Sequence, residues 1–426
     1  MLYYSYLKKE GNIMSIKIAI SKKKLDTPLP IYLSGYGARK DYAHSIHDDL
    51  YANSVFITDG EKNFAMVSCD LLGIYAGYYR PIIDDIKKRV GIKGLDIVIT
   101  NVHSHSAPAL RDSEYDTNIE MMIEEVKQKV AEGIREAASK AKEVKIGFNQ
   151  KLVRGVGANR RDSKIDVNTV LKIMTFKQNG NQGVAVNFNC HPTLMSPSNM
   201  QVSKDYQGYT MDKLVDDGFL PLYLQGACGD VSTRFTRTAQ TFEECDRLGG
   251  ILAYEVKSLV EATECRDISS FSYVEHIVKL PKKQYENEEY YLKQIKEYEK
   301  TLADKKDQVS AAELRIYETA LQGINVEYRY SQSQDKIVTD IPCGVLRLDN
   351  NVVIFAPFEI FSKVADRIYA GSKAENTLIV GYSFDGQGYL PDAESFDNGG
   401  YEVLSCRYAR GAGEVFADEV IKLINR

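Results

Sequence analysis

The chain of 426 residues contains no tryptophan, no Cys-x-x-Cys pair and only six histidines. The missing cysteine pair excludes a cysteine zinc knuckle. No apolar run approaches the roughly 20 residues that a membrane-spanning helix needs. Residues 1–12 carry basic and tyrosine side chains but no apolar stretch of the kind a secretion signal requires, so Met14, just before a strand pattern over 16–20, reads as the effective start. A net charge of −5 excludes a general nucleic-acid binder. The cysteines number seven, odd and scattered, which suits reduced thiols in a cytoplasm. No flexible linker and no internal repeat divides the chain, and nothing in it speaks to oligomeric state.

What is present is an ordinary globular composition, 44% hydrophobic and 27% charged, with enough length for one large domain carrying an insertion. Strand and helix patterns alternate. Strands are expected over 54–59, 64–70, 95–100, 144–148, 170–176, 184–188, 220–224 and 271–280, and a hairpin over 343–355 turns at 349–351. Helices are expected over 79–89, 120–142, 209–215, 242–262, 359–370 and 411–424; in the second, Met122, Val126, Val130 and Ile134 recur at helical spacing. The fold class is therefore α/β, with mixed β-sheets flanked by helices. Residues 282–327 differ: rich in Glu, Lys, Gln and Tyr and without glycine until Gly323, they read as a helical-hairpin insertion broken near Asp307, a solvated decoration rather than a lid.

Four stretches can carry chemistry. The first, Asn101-Val102-His103-Ser104-His105-Ser106-Ala107-Pro108, leaves a buried strand, and His191-Pro192 leaves another. Half the histidines thus stand at two strand exits, where α/β proteins build their sites. Imidazole is the commonest metal ligand and proton shuttle near neutral pH, although any single one is equally a hydrogen-bonding loop residue. The second, Gln225-Gly226-Ala227-Cys228-Gly229-Asp230-Val231-Ser232, is a Gly-rich loop after a buried strand. Ser232 is a nucleophile or a donor there, or Asp230 caps a plain turn. No Gly-x-Ser-x-Gly elbow surrounds the serine. The third is Glu359, placed by pattern at the start of a helix, where an acid meets the macrodipole. The fourth is the long Gly-, Asp- and Tyr-rich loop 382–401.

These pieces, in order, resemble the N-terminal catalytic domain of the neutral, non-lysosomal ceramidases. Leu33-Ser34-Gly35-Tyr36-Gly37 and Ile46-His47-Asp48-Asp49-Leu50-Tyr51-Ala52 resemble that family's opening Gly-Tyr and Ile-His stretches. The run 101–108 resembles its Thr-His-Thr-His-Ser-Gly-Pro, and Asn159-Arg160 its Asn-Arg step. Cys190-His191-Pro192-Thr193 with Asp205-Tyr206-Gln207-Gly208-Tyr209 resembles its second histidine block. Gly229-Asp230-Val231-Ser232 is similar to its Gly-Asp-Val-Ser, and Pro357-Phe358-Glu359 to its Pro-Gly-Glu. Gly388-Tyr389 and Tyr401-Glu402 are similar to two tyrosine positions of its last loop.

The resemblance implies a ceramidase-like catalytic domain over 14–426 and a zinc ion held by His103, His191, Glu359 and Tyr389. It implies His105, Arg160, Ser232 and Tyr401 as the catalytic, substrate-facing set. It implies hydrolysis of an N-acyl bond by metal-activated water, and hence a place in lipid and sphingolipid metabolism. The partner would be a small acylated molecule, lipids included. Ala107, Phe358 and Thr233-Arg234 depart from the family's pattern, and its C-terminal immunoglobulin-like module and secretion signal are not matched. These departures surround the substrate rather than the ligand set. A metal-free serine hydrolase using Ser232, or a ligand-binding protein without turnover, are the competing readings.

Overall fold

The computed structural model describes residues 16–75, 77–111, 117–178, 181–309 and 311–426. Met14 and the basic start lie outside them. One five-stranded and two four-stranded sheets form the body, joined by four two-stranded ribbons. Each large sheet contains the same unit: an antiparallel hairpin, a helix, then a strand returning parallel to the second arm of the hairpin. In the first sheet the unit is Leu50–Thr58, Asn63–Cys69, helix Tyr79–Val90 and Leu95–Asn101. In the second it is Val170–Gln178, Asn181–Phe188, helix Asp205–Asp216 and Phe219–Gln225. In the third it is Asp340–Leu348, Asn351–Phe355, helix Ser362–Gly371 and Asn376–Val380. The sequence carries no such repeat; what recurs is the burial pattern.

The parallel-paired strands are apolar on both faces because they lie in mid-sheet or, at a sheet edge, against another sheet. Val98, Ile99, Val186, Phe188, Leu224, Ile354, Phe355 and Ile379 are fully buried. Buried polar side chains fasten one sheet to the next. Thr100 Oγ1 donates to the Gly381 carbonyl (2.9 Å), and Asn187 Nδ2 donates to those of Leu224 and Ile379 (both 2.9 Å). Ser68 Oγ donates to the Tyr223 carbonyl. These pairings draw the ends of the parallel strands together. Register fixes the outcome: Cys69 stands opposite Asn101, Phe188 opposite Gln225 and Phe355 opposite Val380. Six chain exits therefore open on one region, as in other α/β proteins whose sites lie beyond the strand ends.

The helices Glu288–Lys305 and Ala311–Gln332 account for the atypical stretch. The first is mostly exposed. The second is not a mere decoration. Its Gly323 lies against Leu404 and Tyr401, and Lys283 forms an ion pair with its Glu327 at 2.7 Å.

One buried cation makes a pH-dependent prediction. Lys172 is 8% exposed, donates to the Thr377 carbonyl at 3.0 Å and sits 3.7 Å above the Tyr369 ring. Burial, opposed by Asp366, lowers its pKa to about 8. Between that value and the ordinary value near 10.5 the unfolded chain binds the extra proton, so stability rises with pH across the window and the penalty is full below it. Lys172→Met is expected to be more stable than the parent at pH 7, with the gap narrowing by about 2 kcal/mol by pH 10. Urea unfolding at both pH values checks this; a gap independent of pH would show that the ammonium is not the source.

Candidate functional site

Three histidines, a carboxylate and a ring of tyrosines meet at the converging strand ends. His103 follows Leu95–Asn101 and adopts φ +67°, a sparsely populated conformation for a side-chain-bearing residue and a mark of local constraint. Its backbone N–H bonds the Leu71 carbonyl at 2.9 Å and its Nδ1 the Leu72 carbonyl at 2.7 Å. His191, wholly buried, follows Asn181–Phe188 and turns its Nδ1 to the Cys228 carbonyl. A carbonyl only accepts, so Nδ1 carries the proton in both rings and Nε2 presents a lone pair. The Nε2 of His191 lies 2.9 Å from Glu359 Oε2, and that of His103 lies 3.7 Å from the same oxygen. The Nε2 atoms of His103 and His105 are 3.3 Å apart. Candidate ligand atoms of His103, His105 and His191 all fall within 4.8 Å of one another.

Burial keeps these imidazoles neutral. It lowers the His103 pKa to about 4 against the opposing pull of Glu359. It lowers His191 to about 3, helped by Arg160, and takes His105 well below its usual value, helped by His103 and His191. Two imidazole lone pairs and a Glu359 oxygen thus face one point. That is a repulsive arrangement alone and a favourable one around a cation, so the donor set fits a metal ion. The backbone carbonyls that fix the tautomers of His103 and His191 are the kind of partner that metal-ligating histidines use. His105 differs: its Nδ1 has no hydrogen-bond partner among the described residues. Its ring stacks edge-on to Tyr36 at 4.7 Å, and its carbonyl is held by Arg39 at 2.8 Å.

Glu359 does not begin a helix. It belongs to a two-residue strand, Glu359–Ile360, paired in parallel with Tyr389–Leu390, and the helix starts at Ser362. Its N–H bonds the Gly388 carbonyl at 2.9 Å. A pairing partner far along the chain therefore overrides the local helix-start pattern. Asp230 caps the helix instead, accepting from the Ser362 N–H (2.8 Å) and Oγ (2.6 Å). Gly229 closes the same junction, donating to the Ile360 carbonyl at 2.8 Å. A methyl group at Gly229 would collide with the Glu359 carbonyl and approach the Phe361 ring to 2.7 Å. Gly229→Ala is expected to shift the carboxylate and cost about 10- to 100-fold in metal affinity, the scale of outer-sphere changes. Competition with a chromophoric chelator reads this; unchanged affinity would mean that Glu359 is not a ligand.

The remaining expected residues lie around this centre. The Tyr389 ring is 6.4 Å from that of His191, and its hydroxyl accepts a long bond (3.5 Å) from Arg160. The Arg160 side chain, 11% exposed, pairs with Glu402 at 3.0 Å. Burial opposes its charge, but Tyr389, Glu402 and Glu359 outweigh that and raise its pKa. Tyr401 opens a short helix, 5.9 Å from the Tyr389 ring, and burial raises its pKa, keeping the hydroxyl a donor. Ser232 bridges to His191 through the backbone, and its Oγ accepts from the Arg234 N–H at 3.3 Å. No histidine bonds that oxygen among the described residues, which leaves a serine nucleophile without a base.

Two neighbours lie in stretches the sequence singles out, but their roles do not show there. Tyr382, at φ +55°, lies over His103 at 4.1 Å, and its hydroxyl is 3.3 Å from His191 Nε2. Glu402 is the counter-charge of Arg160. Both sit in or beside the loop that composition singles out, but neither has a local signature.

Residues 27–294 match the family described as neutral/alkaline non-lysosomal ceramidase, N-terminal. The chain belongs to this family. Ceramidase-family membership makes it a hydrolase of an amide bond. Two solved structures are similar in fold. A neutral ceramidase from Pseudomonas aeruginosa shares 15% identity, with a TM-score of 0.72 over 97% of this chain and 75% of that one. A structure described as ceramidase complexed with C2 shares 15% identity, with a TM-score of 0.71 over 97% and 76%. No curated protein matches this ceramidase-family chain. No helix among its described residues is long and apolar enough to cross a membrane.

Proposed function

We propose that the chain is a zinc-dependent hydrolase of an N-acyl amide, with one zinc ion held by His103, His191, Glu359 and Tyr389. The observation that carries the reading is the convergence of two carbonyl-pinned imidazoles and one carboxylate from three separate strand exits. Bound zinc lowers the pKa of its water toward neutrality and polarises a carbonyl. The protein does the rest. Arg160, kept cationic by Glu402, and the Tyr401 hydroxyl stabilise negative charge developing on the acyl oxygen. His105, which lines the cleft, takes up a proton from the attacking water and passes it to the departing amine. Ser232 lines the cleft and orients the substrate by hydrogen bonding. A reducing, cytoplasmic compartment accords with seven cysteines that form no disulfide, and thiol titration of the unfolded protein should count all seven.

A panel of N-acyl amides and O-acyl esters, assayed with and without added zinc, tests the reading. Zinc-dependent amide cleavage is expected. Zinc-independent turnover with fluorophosphonate labelling of Ser232 would sink it.

A further inference from the structure

Beside the histidines opens a cleft of about 510 Å³. Its walls include His105, Ser232, Tyr389 and Tyr401, and it shares Arg160, Arg234, Thr319 and Tyr401 with a second cavity of about 520 Å³ that Ile165 and Ile316 also line. Four arginines line the cleft, Arg160, Arg234, Arg237 and Arg315, against one acid, Glu318. Among the described residues no leucine, isoleucine, valine, methionine or phenylalanine does. Pockets for aliphatic ligands are lined mainly by such side chains; here tyrosines and Pro197 supply the apolar lining instead.

Two of the cations are already neutralised. Arg160 pairs with Glu402 at 3.0 Å, and Arg315 with Glu318 at 2.9 Å. Arg234 and Arg237 form no ion pair among the described residues. Arg234 Nη1 donates to the Arg160 carbonyl at 2.9 Å, and Arg237 Nη1 to the Thr193 carbonyl at 2.8 Å. Each guanidinium has five N–H donors, so most remain unspent. Both side chains are half-buried, and burial lowers both pKa values without discharging them at neutral pH. Half-buried guanidinium groups without a close ion-pair partner keep donors to spare, and a planar fork of donors matches a carboxylate or phosphate.

From this arrangement we infer that the substrate is an N-acylated amine bearing an anionic group, which Arg234 and Arg237 grip while the amide lies against His105. The inference rests on the amide-hydrolase reading and narrows it to acyl amides that carry a negative charge. Arg315 gives the second atypical helix a part in the same cleft: it brings a further cation to the wall facing the loop arginines.

The test uses the zinc-loaded full chain and three ligands with one acyl group: N-dodecanoyl glycine, the phosphate ester of N-dodecanoyl ethanolamine, and neutral N-dodecanoyl ethanolamine. Calorimetric binding and hydrolysis are both read. One or both anionic ligands should bind about tenfold or more tighter than the neutral one, and the carboxylate and phosphate arms decide which anion fits. The preference should weaken with salt. It should fall toward one in Arg237→Gln and, separately, in Arg234→Gln, whose melting temperatures report that each variant folds. Equal binding of all three ligands, or a preference that survives both substitutions, overturns the inference. Tight anion binding with no hydrolysis of any ligand would instead overturn the amide-hydrolase reading and leave the anion site standing.

Discussion

His191→Ala is expected to abolish zinc binding and to lower amide hydrolysis by about a thousandfold or more, since a metal ion supplies several kcal/mol of transition-state stabilisation and each 1.36 kcal/mol is a factor of ten. His191 is wholly buried, its tautomer is set by the Cys228 carbonyl, and its Nε2 is 2.9 Å from Glu359. Removing the ring takes away one ligand and leaves the carbonyl without its donor, a stability loss of about 1–3 kcal/mol that the fold should survive. His105→Ala separates the roles. Without a carbonyl to fix its tautomer, His105 acts on protons, so that variant should retain zinc while kcat falls. Metal content and kcat measured on both variants read the difference. Loss of zinc from His105→Ala but not from His191→Ala would exchange the two assignments.

The second large effect is expected at Arg160. Arg160→Met leaves Glu402, whose side chain is 7% exposed, as a buried carboxylate without a cation. Breaking a buried pair in this way costs about 3–5 kcal/mol of stability. Losing a donor to the developing oxyanion costs about 10²- to 10³-fold in kcat. Glu402→Gln breaks the same ion pair but keeps the guanidinium. It should be less stable than the parent yet far more active than Arg160→Met. Unfolding curves and kcat for the two variants make the comparison. Equal activity in both would make Arg160 a purely structural residue.

Much of this architecture is legible in the chain because burial leaves a local trace. The apolar run at 184–188 is an inner strand and those at 95–100 and 220–224 are buried edge strands, and the amphipathic helices stand where their spacing puts them. The His-x-His pair and His191 stand at strand exits for the same reason. The misreading of Glu359 has a long-range cause: its backbone pairs with Tyr389–Leu390, and no window around residue 359 contains that partner. The threefold recurrence of hairpin, helix and parallel strand is hidden because topology needs only buried and exposed positions, which different sequences meet equally well. The polar composition of 282–327 likewise reads as solvated surface and does not show that its second helix packs on Tyr401 and lines the cleft. Tyr382 and Glu402 become visible only when chain ends converge.

The metal content of purified, active protein decides whether a zinc ion carries the catalysis. About one zinc per chain is expected, as a single catalytic site requires. It should leave with the activity on chelation and restore that activity when returned. Protein stripped of metal that still cleaves its amide substrate at the full rate would contradict the account.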